Sequence, residues 1–549
     1  MYKRFFIIFL CCLPFLYLTA PVMAAAGDLD PTYGSGGKTT TDFFGFDDEI
    51  FAAAVQPDGK TVVAGRIQVE LNRTSSALAR YRLDGSLDPA FGSNGKVLFS
   101  QISPTAVIIQ PDGKIIVAGS TQTDFGLLRF RSNGSLDTTF GAGGLASLDF
   151  FGTNDVINDV ALQPDGRIVA AGHTDAGLRV GIARFHSDGS PDITFGDHGK
   201  ASPPRLGSGA EHASAIVIQP DLKIVAAGSV SAGPDFFGRQ DFALNRFNPD
   251  GQLDQTFGIG GRIVTPVGSG SGTCDIRDVV TQSDGKILAA GFADSTVALI
   301  RYESDGDLDS TFGNGAKAIS VIPGSTGSFS ASALVLQVDA KIVVAGQGYV
   351  GTAVGRDVAL LRYHADGNLD NTFGNQGVVI SDFNGDDEAA ALLLQPDGKL
   401  LVAGLNRRSG HYDDFLLARY LSTETNSPVL QTEANSNHAL ALDSVTLLRD
   451  PFPVNNELNF SADHRTRIVL FATNLTLVGN ETVSSVIVQA QGSTGATYRL
   501  PVEYVGEVPG CEWLTQVVVK LPDELANAGT VLVNITHGTT SNHGSLFIK

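Results

Sequence analysis

The amino-acid sequence predicts an all-β protein: a seven-bladed β-propeller followed by a small immunoglobulin-like β-sandwich. The first observation is internal repetition, because three short motifs recur seven times in the same order, about every 56 residues, between residues 27 and 421. The second is that residues 438–549 also alternate like strands but lack these motifs. Composition agrees, since 63 Gly and 43% hydrophobic residues are typical of short buried strands joined by tight turns, not of a disordered chain.

Each of the three motifs has its own set of positions. The pattern LDxxFG begins at Leu29, Leu87, Leu136, Pro191, Leu253, Leu308 and Leu369. The pattern QPDGK begins at Gln56, Gln110, Gln163, Gln219, Gln282, Gln337 and Gln395. A strand rich in Ala and Leu ends in Arg and an aromatic residue at Arg80-Tyr81, Arg129-Phe130, Arg184-Phe185, Arg246-Phe247, Arg301-Tyr302, Arg362-Tyr363 and Arg419-Tyr420.

Each repeat is expected to form four short strands. The stretch "AVQPDGKTVVAG" (54–65) predicts a β-hairpin, because Pro fixes φ and Gly accepts a positive φ in the turn. An Asp-Gly or Asn-Gly turn follows the Arg-aromatic strand in six copies, and a further strand follows each FGxxG. Strands that are apolar on both faces indicate propeller blades packed between neighbours. The alternative, a parallel β-helix, has a shorter repeat and lacks hairpin turns.

Two of the repeated side chains have both a structural and a functional interpretation. We interpret the Phe of LDxxFG as an aromatic packed between blades, rather than a ligand platform, because all copies occupy one structural position. We interpret the repeated Arg as an ion-pair partner of the Asp in LDxxFG or in PDGK, since its stem crosses apolar surface. The alternative is a ring of Arg facing the channel that binds an anion.

The combination of LDxxFG, QPDGK and LARY followed by DG resembles the delta-60 repeat family of secreted bacterial proteins. The resemblance covers residues 27–421 and implies a β-propeller, but it implies no activity and no site residues. The chain departs from the pattern at Pro191, Ser283, Val338, Leu222 and Ala340. The last two replace the turn Gly, and a non-Gly residue is strained at positive φ, so we expect reshaped hairpins in repeats four and six.

The motifs end after Tyr420. Residues 422–437 are polar and lack periodicity, which predicts a linker. Residues 438–549 contain about six alternating segments, which predict the immunoglobulin-like sandwich, and their closing segment is similar to TIG-type modules. Outside the leader only Cys274 and Cys511 are present. They fall in different predicted domains, so we expect free thiols rather than a disulfide.

Residues 1–26 have the features of a signal peptide. Lys3 and Arg4 precede an apolar stretch, and small residues near position 24 provide a cleavage site between residues 23 and 27. An uncleaved membrane anchor is the alternative interpretation, and no other segment predicts a transmembrane span. We therefore expect a secreted protein, either extracellular, at the cell surface or periplasmic, and monomeric.

The charge of the chain limits the choice of partner. The formal net charge is −20, and removal of Lys3 and Arg4 makes it more negative. Such a surface repels phosphate backbones, so nucleic acid is not expected as a partner. An extracellular protein or a glycan is the expected partner class.

No catalytic or cofactor motif is recognisable, so we expect no catalytic residues and no bound cofactor. The ten His form no HxxxH pair, and CxxC, GxSxG, P-loop and dinucleotide patterns are absent. Calcium is the one cofactor for which the sequence offers candidates. Asp382, Asn384 and Asp386 alternate as ligands do in calcium loops, but no later Glu completes an EF-hand. A polar connection between strands is the favoured interpretation.

Two classes of function fit these observations. The first is a secreted, non-enzymatic binding or scaffolding protein that presents a propeller face to its ligand. The alternative is a secreted polysaccharide hydrolase or lyase, in which acids from several blades meet at the central channel.

The repeat boundaries also predict how the ring closes. Repeat seven ends without an FGxxG strand, whereas the chain begins with a surplus one at residues 37–43. We expect this strand to complete the last blade, because the pairing removes two exposed strand edges. The alternative keeps it in the first blade and closes the ring by side-chain packing.

Overall fold

A computed structural model gives the architecture. It describes residues 25–206, 209–231, 240–268, 273–322, 324–350, 355–407, 412–422, 429–430, 441–443, 466–473, 475, 482–492, 496–508, 511–526, 528–537, 539–540 and 544–548. Residues 1–24 of the predicted signal peptide, most of the predicted linker and the side chain of Cys511 lie outside the described residues. Within the described part, no helix is long and apolar enough to cross a membrane.

Seven four-stranded antiparallel sheets form the blades of a propeller, as the sequence predicts. The first strand in the chain, β1 (Lys38–Thr41), belongs to the last blade. Blade 1 contains β2 (Asp48–Val55), β3 (Thr61–Glu70), β4 (Arg73–Tyr81) and β5 (Lys96–Phe99). Blade 2 contains β6 (Ser103–Ile109), β7 (Ile115–Ser120), β8 (Phe125–Phe130) and β9 (Leu145–Leu148). Blade 3 contains β10 (Val156–Leu162), β11 (Ile168–Thr174), β12 (Arg179–Phe185) and β13 (Lys200–Ala201). Blades 4 and 5 are β14 (Glu211–Ile218), β15 (Ile224–Ser231), β16 (Gln240–Phe247), β17 (Arg262–Thr265); and β18 (Cys274–Thr281), β19 (Ile287–Ala293), β20 (Thr296–Tyr302), β21 (Lys317–Ser320). Blades 6 and 7 are β22 (Ser325–Leu336), β23 (Ile342–Val350), β24 (Asp357–Tyr363), β25 (Val378–Ser381); and β26 (Asp386–Leu394), β27 (Leu400–Arg407), β28 (Asp413–Tyr420), with β1.

The first strand of each blade lines a central channel. These seven strands contact one another from blade to blade around the ring, and their residues surround a cavity of about 1370 Å³. The second and third strands are buried almost throughout, because neighbouring blades cover both of their faces. This packing accounts for the continuous apolar runs in the sequence.

The N-terminal segment closes the ring through backbone pairing, as predicted. Strand β1 pairs antiparallel with β28, and Lys38 lies opposite Ala418. The segment also supplies the turn that repeat seven lacks: the Gly27 N–H donates to the Leu421 carbonyl at 2.7 Å. Gly85 makes the same bond to Arg82 in blade 1. The stretch "AGDLDPTYG" (26–34) therefore takes the place of a "DGSLDPAFG" turn after the last blade.

The Asp of LDxxFG is held by two cations in every blade. Its buried carboxylate lies 2.7 to 2.9 Å from a nitrogen of the repeated Arg. It also lies 2.8 to 3.8 Å from the Lys, or Arg167 in blade 3, that follows the PDG turn. We call this arrangement the clasp. Its seven Asp–Arg pairs are Asp88–Arg80, Asp137–Arg129, Asp192–Arg184, Asp254–Arg246, Asp309–Arg301, Asp370–Arg362 and Asp30–Arg419.

Each clasp Arg also joins its blade to the next one. Its guanidinium donates to a backbone carbonyl of the following blade: Arg80 to Ser132, Arg129 to Ser187, Arg184 to Pro249, Arg246 to Ser304, Arg301 to Ala365, Arg362 to Ser422 and Arg419 to Leu83. The guanidinium carbon stacks 4.2 to 4.6 Å from the centroid of the LDxxFG aromatic ring, which is fully buried. The structural interpretations of the Arg and of the Phe are confirmed.

The clasp that closes the ring, formed by Asp30 and Arg419, shows why the buried carboxylate is ionised. Burial alone would raise the pKa of Asp30, but hydrogen bonds from Thr32 and the charge of Arg419 outweigh it and lower the pKa to about 2. The carboxylate is therefore ionised over the whole physiological range of pH.

The expected reshaping of two hairpins does not occur. Leu222 and Ala340 adopt φ of 66° and 62°, close to the left-handed backbone of the Gly residues that they replace. The turn bond is also kept, because the Leu222 N–H donates to the Gln219 carbonyl at 2.9 Å. The flanking strands therefore impose the turn, at a strain cost of about 1–2 kcal/mol per residue.

The C-terminal region forms two sheets around one core. The first sheet contains β29 (Val429–Leu430), β30 (Ala441–Asp443), β31 (Arg467–Thr473), β34 (Val502–Val508) and β35 (Cys511–Lys520). The second contains β32 (Ile487–Gln491), β33 (Thr497–Leu500), β36 (Gly529–His537), β37 (Thr539–Thr540) and β38 (Gly544–Ile548), and single 3-10 turns lie at Val483–Ser485 and Asp523–Leu525. Residues of both sheets, such as Leu470 and Val533, share one buried cluster. This is a β domain; its immunoglobulin-like identity stays a prediction.

Deletion of residues 25–43 should open the ring. The deletion removes the strand that covers β28 and leaves Arg419 without Asp30, so we expect the thermal midpoint to fall by ~5 °C or more. The exposed β28 edge should also cause self-association, which light scattering after gel filtration would detect. A variant that ends at residue 427 is the control and should keep the propeller transition. Equal behaviour of the two truncations would contradict closure by β1.

Replacement of Arg184 by Met should destabilise the propeller by about 3 kcal/mol, because it leaves the Asp192 carboxylate buried with only a half-exposed partner. Urea unfolding of the purified protein would measure the change. The Arg167→Met variant removes that outer partner of the same carboxylate and should cost less than about 1 kcal/mol. The double variant R184M/D192N should recover part of the loss. Equal losses of unfolding free energy in R184M and R167M would contradict the prediction, because burial of the Arg184–Asp192 pair would then add nothing to its contribution.

Candidate functional site

Every blade has a β-bulge at the same place in its first strand. The register with the second strand shifts by one residue, and the extra residue is left without a partner. The seven extra residues, which we call the bulge ring, are Phe51, Thr105, Asn158, Ser214, Arg277, Ser332 and Ala390. All seven line the central channel.

The bulge explains one invariant of the repeat, the Gly that ends each "VAG" or "AAG". A Cβ added to Gly65 would lie 2.1 Å from the Glu49 carbonyl oxygen, which is far inside van der Waals contact. The same contact is 1.8 to 2.2 Å in the other blades. The equivalent glycines are Gly119, Gly172, Gly228, Gly291, Gly346 and Gly404. Only Gly permits this close approach of the two strands, so the bulge is built into the repeat.

The bulge ring is the variable part of a constant scaffold. The motif positions repeat almost residue for residue from blade to blade, whereas the seven bulge positions carry six different residue types. They offer hydroxyl groups, an amide, a guanidinium and one aromatic face towards the channel. Equivalent backbone positions with different side chains form an asymmetric set of contacts inside a symmetric ring.

Three side chains of the bulge ring are held in place by hydrogen bonds, two of them to the next blade. The Thr105 hydroxyl donates to the Ile157 carbonyl at 2.5 Å, and the Asn158 amide donates to the Ala213 carbonyl at 2.7 Å. The Ser332 hydroxyl donates to the Gln347 amide oxygen of its own blade at 3.0 Å. These side chains are therefore oriented before any ligand arrives, which lowers the entropy cost of binding.

Charged groups lie at the end of the channel where the first strands begin. Arg66 pairs with Glu49 at 2.9 Å, and Arg356 pairs with Glu388. His212 lies 3.2 Å from an oxygen of Asp275, and Arg277 lies 3.4 Å from the other. Opposite charges are thus interspersed at this entrance, so it does not present a single-sign field to a ligand.

His173 also lines the channel. Burial lowers the pKa of its imidazole, and the nearby charge of His212 lowers it further. The neutral ring therefore predominates at pH 7 and offers one hydrogen-bond donor and one acceptor.

Two carboxyl groups inside the channel have raised pKa values. Burial among the surrounding strands raises the pKa of Asp159 to about 6 and that of Asp278 to about 7, where the charge of Asp159 contributes. Asp159 accepts the backbone N–H of Ile216 at 2.9 Å, and Asp278 accepts that of Leu334 at 2.7 Å. Both carboxyl groups therefore fasten a blade to the next one.

The three residues that the sequence suggests for calcium, Asp382, Asn384 and Asp386, do not surround one point in the structure, because the side chains of Asp382 and Asp386 have different partners. The Asp382 carboxylate accepts the Asn384 N–H at 2.6 Å, whereas Asp386 pairs with Arg356 at 2.9 Å. The acids that approach Asp382 are instead Asp357 and Asp387. Burial raises the pKa of Asp357 to about 6, with further contributions from Asp382 and Asp387.

Sequence reasoning missed the bulge ring. An extra residue in a strand leaves the apolar run intact, so alternation did not reveal it. The available signal was the repeated Gly within the second strand, since Gly inside a strand marks a bulge or a close backbone approach.

Replacement of Asp278 by Asn should flatten the pH dependence of stability between pH 8 and 5. The folded-state pKa of about 7 lies above the unfolded value, so the folded state binds the proton more tightly and the wild type gains stability as pH falls. The variant should lose about 2 kcal/mol of this gain, as measured by urea unfolding at each pH. Asp284→Asn, in an exposed turn, should keep the wild-type slope. An unchanged slope in D278N would mean that Asp278 is not the proton-binding group.

Comparisons with known proteins address the fold. Seven segments match the family described as "Domain of unknown function (DUF5122) beta-propeller": residues 56–91, 110–140, 163–195, 219–257, 282–312, 337–373 and 395–423. No curated protein matches the chain. Among solved structures, apo prolyl oligopeptidase B from Galerina marginata is 8% identical at a TM-score of 0.36, with 78% of this chain and 56% of that chain covered.

A mannose phosphorylase from Leishmania mexicana, MPT-4, is also 8% identical, at a TM-score of 0.25, with 68% and 84% covered. The present chain thus spans little more than half the length of the oligopeptidase. Neither structural likeness is close enough to carry an argument about function. The first six matched segments each run from the Gln of a QPDGK motif to the aromatic residue of the next LDxxFG motif, and the seventh runs from Gln395 to residue 423. The repeats of this chain are therefore similar to those of a β-propeller repeat family.

Proposed function

We propose that the protein is a secreted, non-enzymatic binding or scaffolding protein whose ligand site is the channel lined by the bulge ring. The observation that carries this proposal is the contrast between a scaffold repeated in seven blades and seven channel-facing positions with six residue types. A ring with only a structural role would have no need for such variety at equivalent positions.

The chemistry of the bulge ring favours a hydroxyl- or amide-rich ligand, which means a glycan or an extended segment of an extracellular protein. Thr105, Ser214 and Ser332 provide hydroxyl groups, and Asn158 provides an amide. Phe51 supplies an aromatic face, with the Arg66 guanidinium carbon 5.9 Å from the ring centroid. Polar groups beside one apolar face are typical of ligand pockets in general.

A polysaccharide hydrolase or lyase is the second candidate. The observation in its favour is the pair of channel carboxyl groups with raised pKa values, Asp159 and Asp278, together with the His212–Asp275 contact. Against it, both raised carboxyl groups already accept backbone N–H groups of the next blade. A general acid must be free to donate to the substrate, so these residues suit a structural role better.

Export and the C-terminal domain complete the proposal. The leader predicted at residues 1–26 would direct the chain out of the cytoplasm, and the acidic net charge disfavours nucleic acid as a partner. The C-terminal β domain would then act as a spacer or docking module for the propeller.

Glycan and peptide arrays with the mature protein test the proposal. We expect binding to a restricted set of ligands, and we expect Arg277→Ala and Asn158→Ala to weaken it by about tenfold or more, because both side chains face the channel. Arg131→Ala, half-exposed in the turn after β8 and not among the residues that line the channel, is the matched control and should bind like the wild type.

A panel of chromogenic glycosides would be run in parallel. Turnover that is lost in D159N or D278N would favour the hydrolase. Array binding that survives both channel substitutions would place the ligand site elsewhere and overturn the proposal.

A further inference from the structure

Three acids from two neighbouring blades meet at one point. Asp357 begins β24 and Asp382 directly follows β25, both in blade 6, whereas Asp387 is the second residue of β26 in blade 7. One carboxylate oxygen from each lies within 4.8 Å of the other two. Two oxygens bound at about 2.4 Å from one Ca²⁺ can be at most about 4.8 Å apart, so each pair of these oxygens is close enough to share one ion.

One of the two buried acids of this cluster has a carboxylate oxygen without a hydrogen-bond partner. The side chain of Asp357 is almost fully buried, and its Oδ1 accepts no hydrogen bond. An unpaired carboxylate oxygen at such a position is costly unless something binds it. The other members of the cluster cannot do so, because carboxylates only accept hydrogen bonds when ionised.

The protein groups around the cluster neutralise it only in part. Arg356 precedes Asp357, but its guanidinium is engaged by Asp386 and Glu388. The ammonium of Lys38 is close enough to attract the Asp387 carboxylate, but it lies over the Phe383 ring, 4.8 Å from the centroid, and forms no ion pair with the three acids among the described residues. Asp387 receives hydrogen bonds from the Phe383 N–H and the Asn406 amide, both neutral donors that anchor it while leaving its charge in place.

We propose that Asp357, Asp382 and Asp387 bind one Ca²⁺ ion, with water completing its coordination. Three carboxylates and open access through the exposed Asp382 suit a hard cation that takes 6 to 8 oxygen ligands. The ion would join the start of β24 to the loop that enters β26, and so would tie blade 6 to blade 7. This ligand set differs from the alternating loop Asp382, Asn384 and Asp386, of which it keeps only Asp382.

Calorimetric titration of the chelator-treated full chain with CaCl2 tests the proposal. We expect one site with a dissociation constant of about 10⁻⁴–10⁻³ M, typical of extracellular calcium modules. The thermal midpoint should rise by ~2–4 °C at about 10 mM CaCl2, and by less with MgCl2 or with NaCl of the same ionic strength.

The Asp382→Asn variant should weaken calcium binding at least tenfold and abolish the thermal shift. Asp382 is exposed, so circular dichroism should show an unchanged fold. Asp42→Asn is the matched control, because Asp42 accepts the Gly45 N–H at 2.6 Å in the equivalent loop before blade 1. Asp386→Asn should also leave calcium binding intact. The proposal would be overturned by the absence of a saturable heat, by equal shifts with CaCl2 and NaCl, or by equal losses in D382N and D42N.

Discussion

The carboxylate of the LDxxFG aspartate is the contact on which the other interactions of the propeller depend. In each blade it binds the Arg that ends the third strand and the cation that follows the PDG turn, so one buried charge connects the three repeated motifs. The same Arg donates to the next blade and stacks on the LDxxFG aromatic ring. A buried carboxylate is tolerated only when it is paired and hydrogen-bonded, so a blade that lost any one motif would leave a charge uncompensated. This coupling explains why the motifs recur as a set.

The clasps separate the structural part of the protein from its variable part. The clasp residues follow the PDG turns, end the third strands and belong to the LDxxFG motifs, whereas the bulge ring lies on the first strands. The repeated Gly of the second strand is required by the bulge. Substitution of Phe51 or Ala390 therefore changes the channel without touching an ion pair of the scaffold. Because the clasp residues do not line the channel, the bulge positions can vary without disturbing the clasps, which is the arrangement that a binding protein requires.

Much of the fold could be predicted from the sequence, because each motif has a local physical meaning. The Arg–Asp pairing and the placement of residues 37–43 in the last blade both follow from counting motifs. The bulges could not be predicted from alternation, since Phe51 or Thr105 extends an apolar or neutral run without breaking it. The expectation that the turns at Leu222 and Ala340 would change is wrong. The strand pairing on both sides of each turn outweighs the local preference for Gly. The acids Asp357 and Asp382 are 25 positions apart and meet through the pairing of β24 with β25, whereas Asp387 reaches them only through the packing of blade 7 on blade 6.

The N-terminal segment carries two requirements at once. Its stretch "AGDLDPTYG" replaces the turn that repeat seven lacks, and the Ala26 carbonyl accepts the Gly374 N–H at 2.9 Å, as an Asp or Asn carbonyl of a turn does at the other interfaces. Ala26 is also buried in the cluster between blades 6 and 7. A leader removed anywhere between residues 23 and 27 would satisfy the export signal, but only a cut before Ala26 leaves this interface complete. In the secreted protein that we propose, the small residues near position 24 would serve the leader protease, and Ala26 would serve the ring as well because it is buried in that cluster.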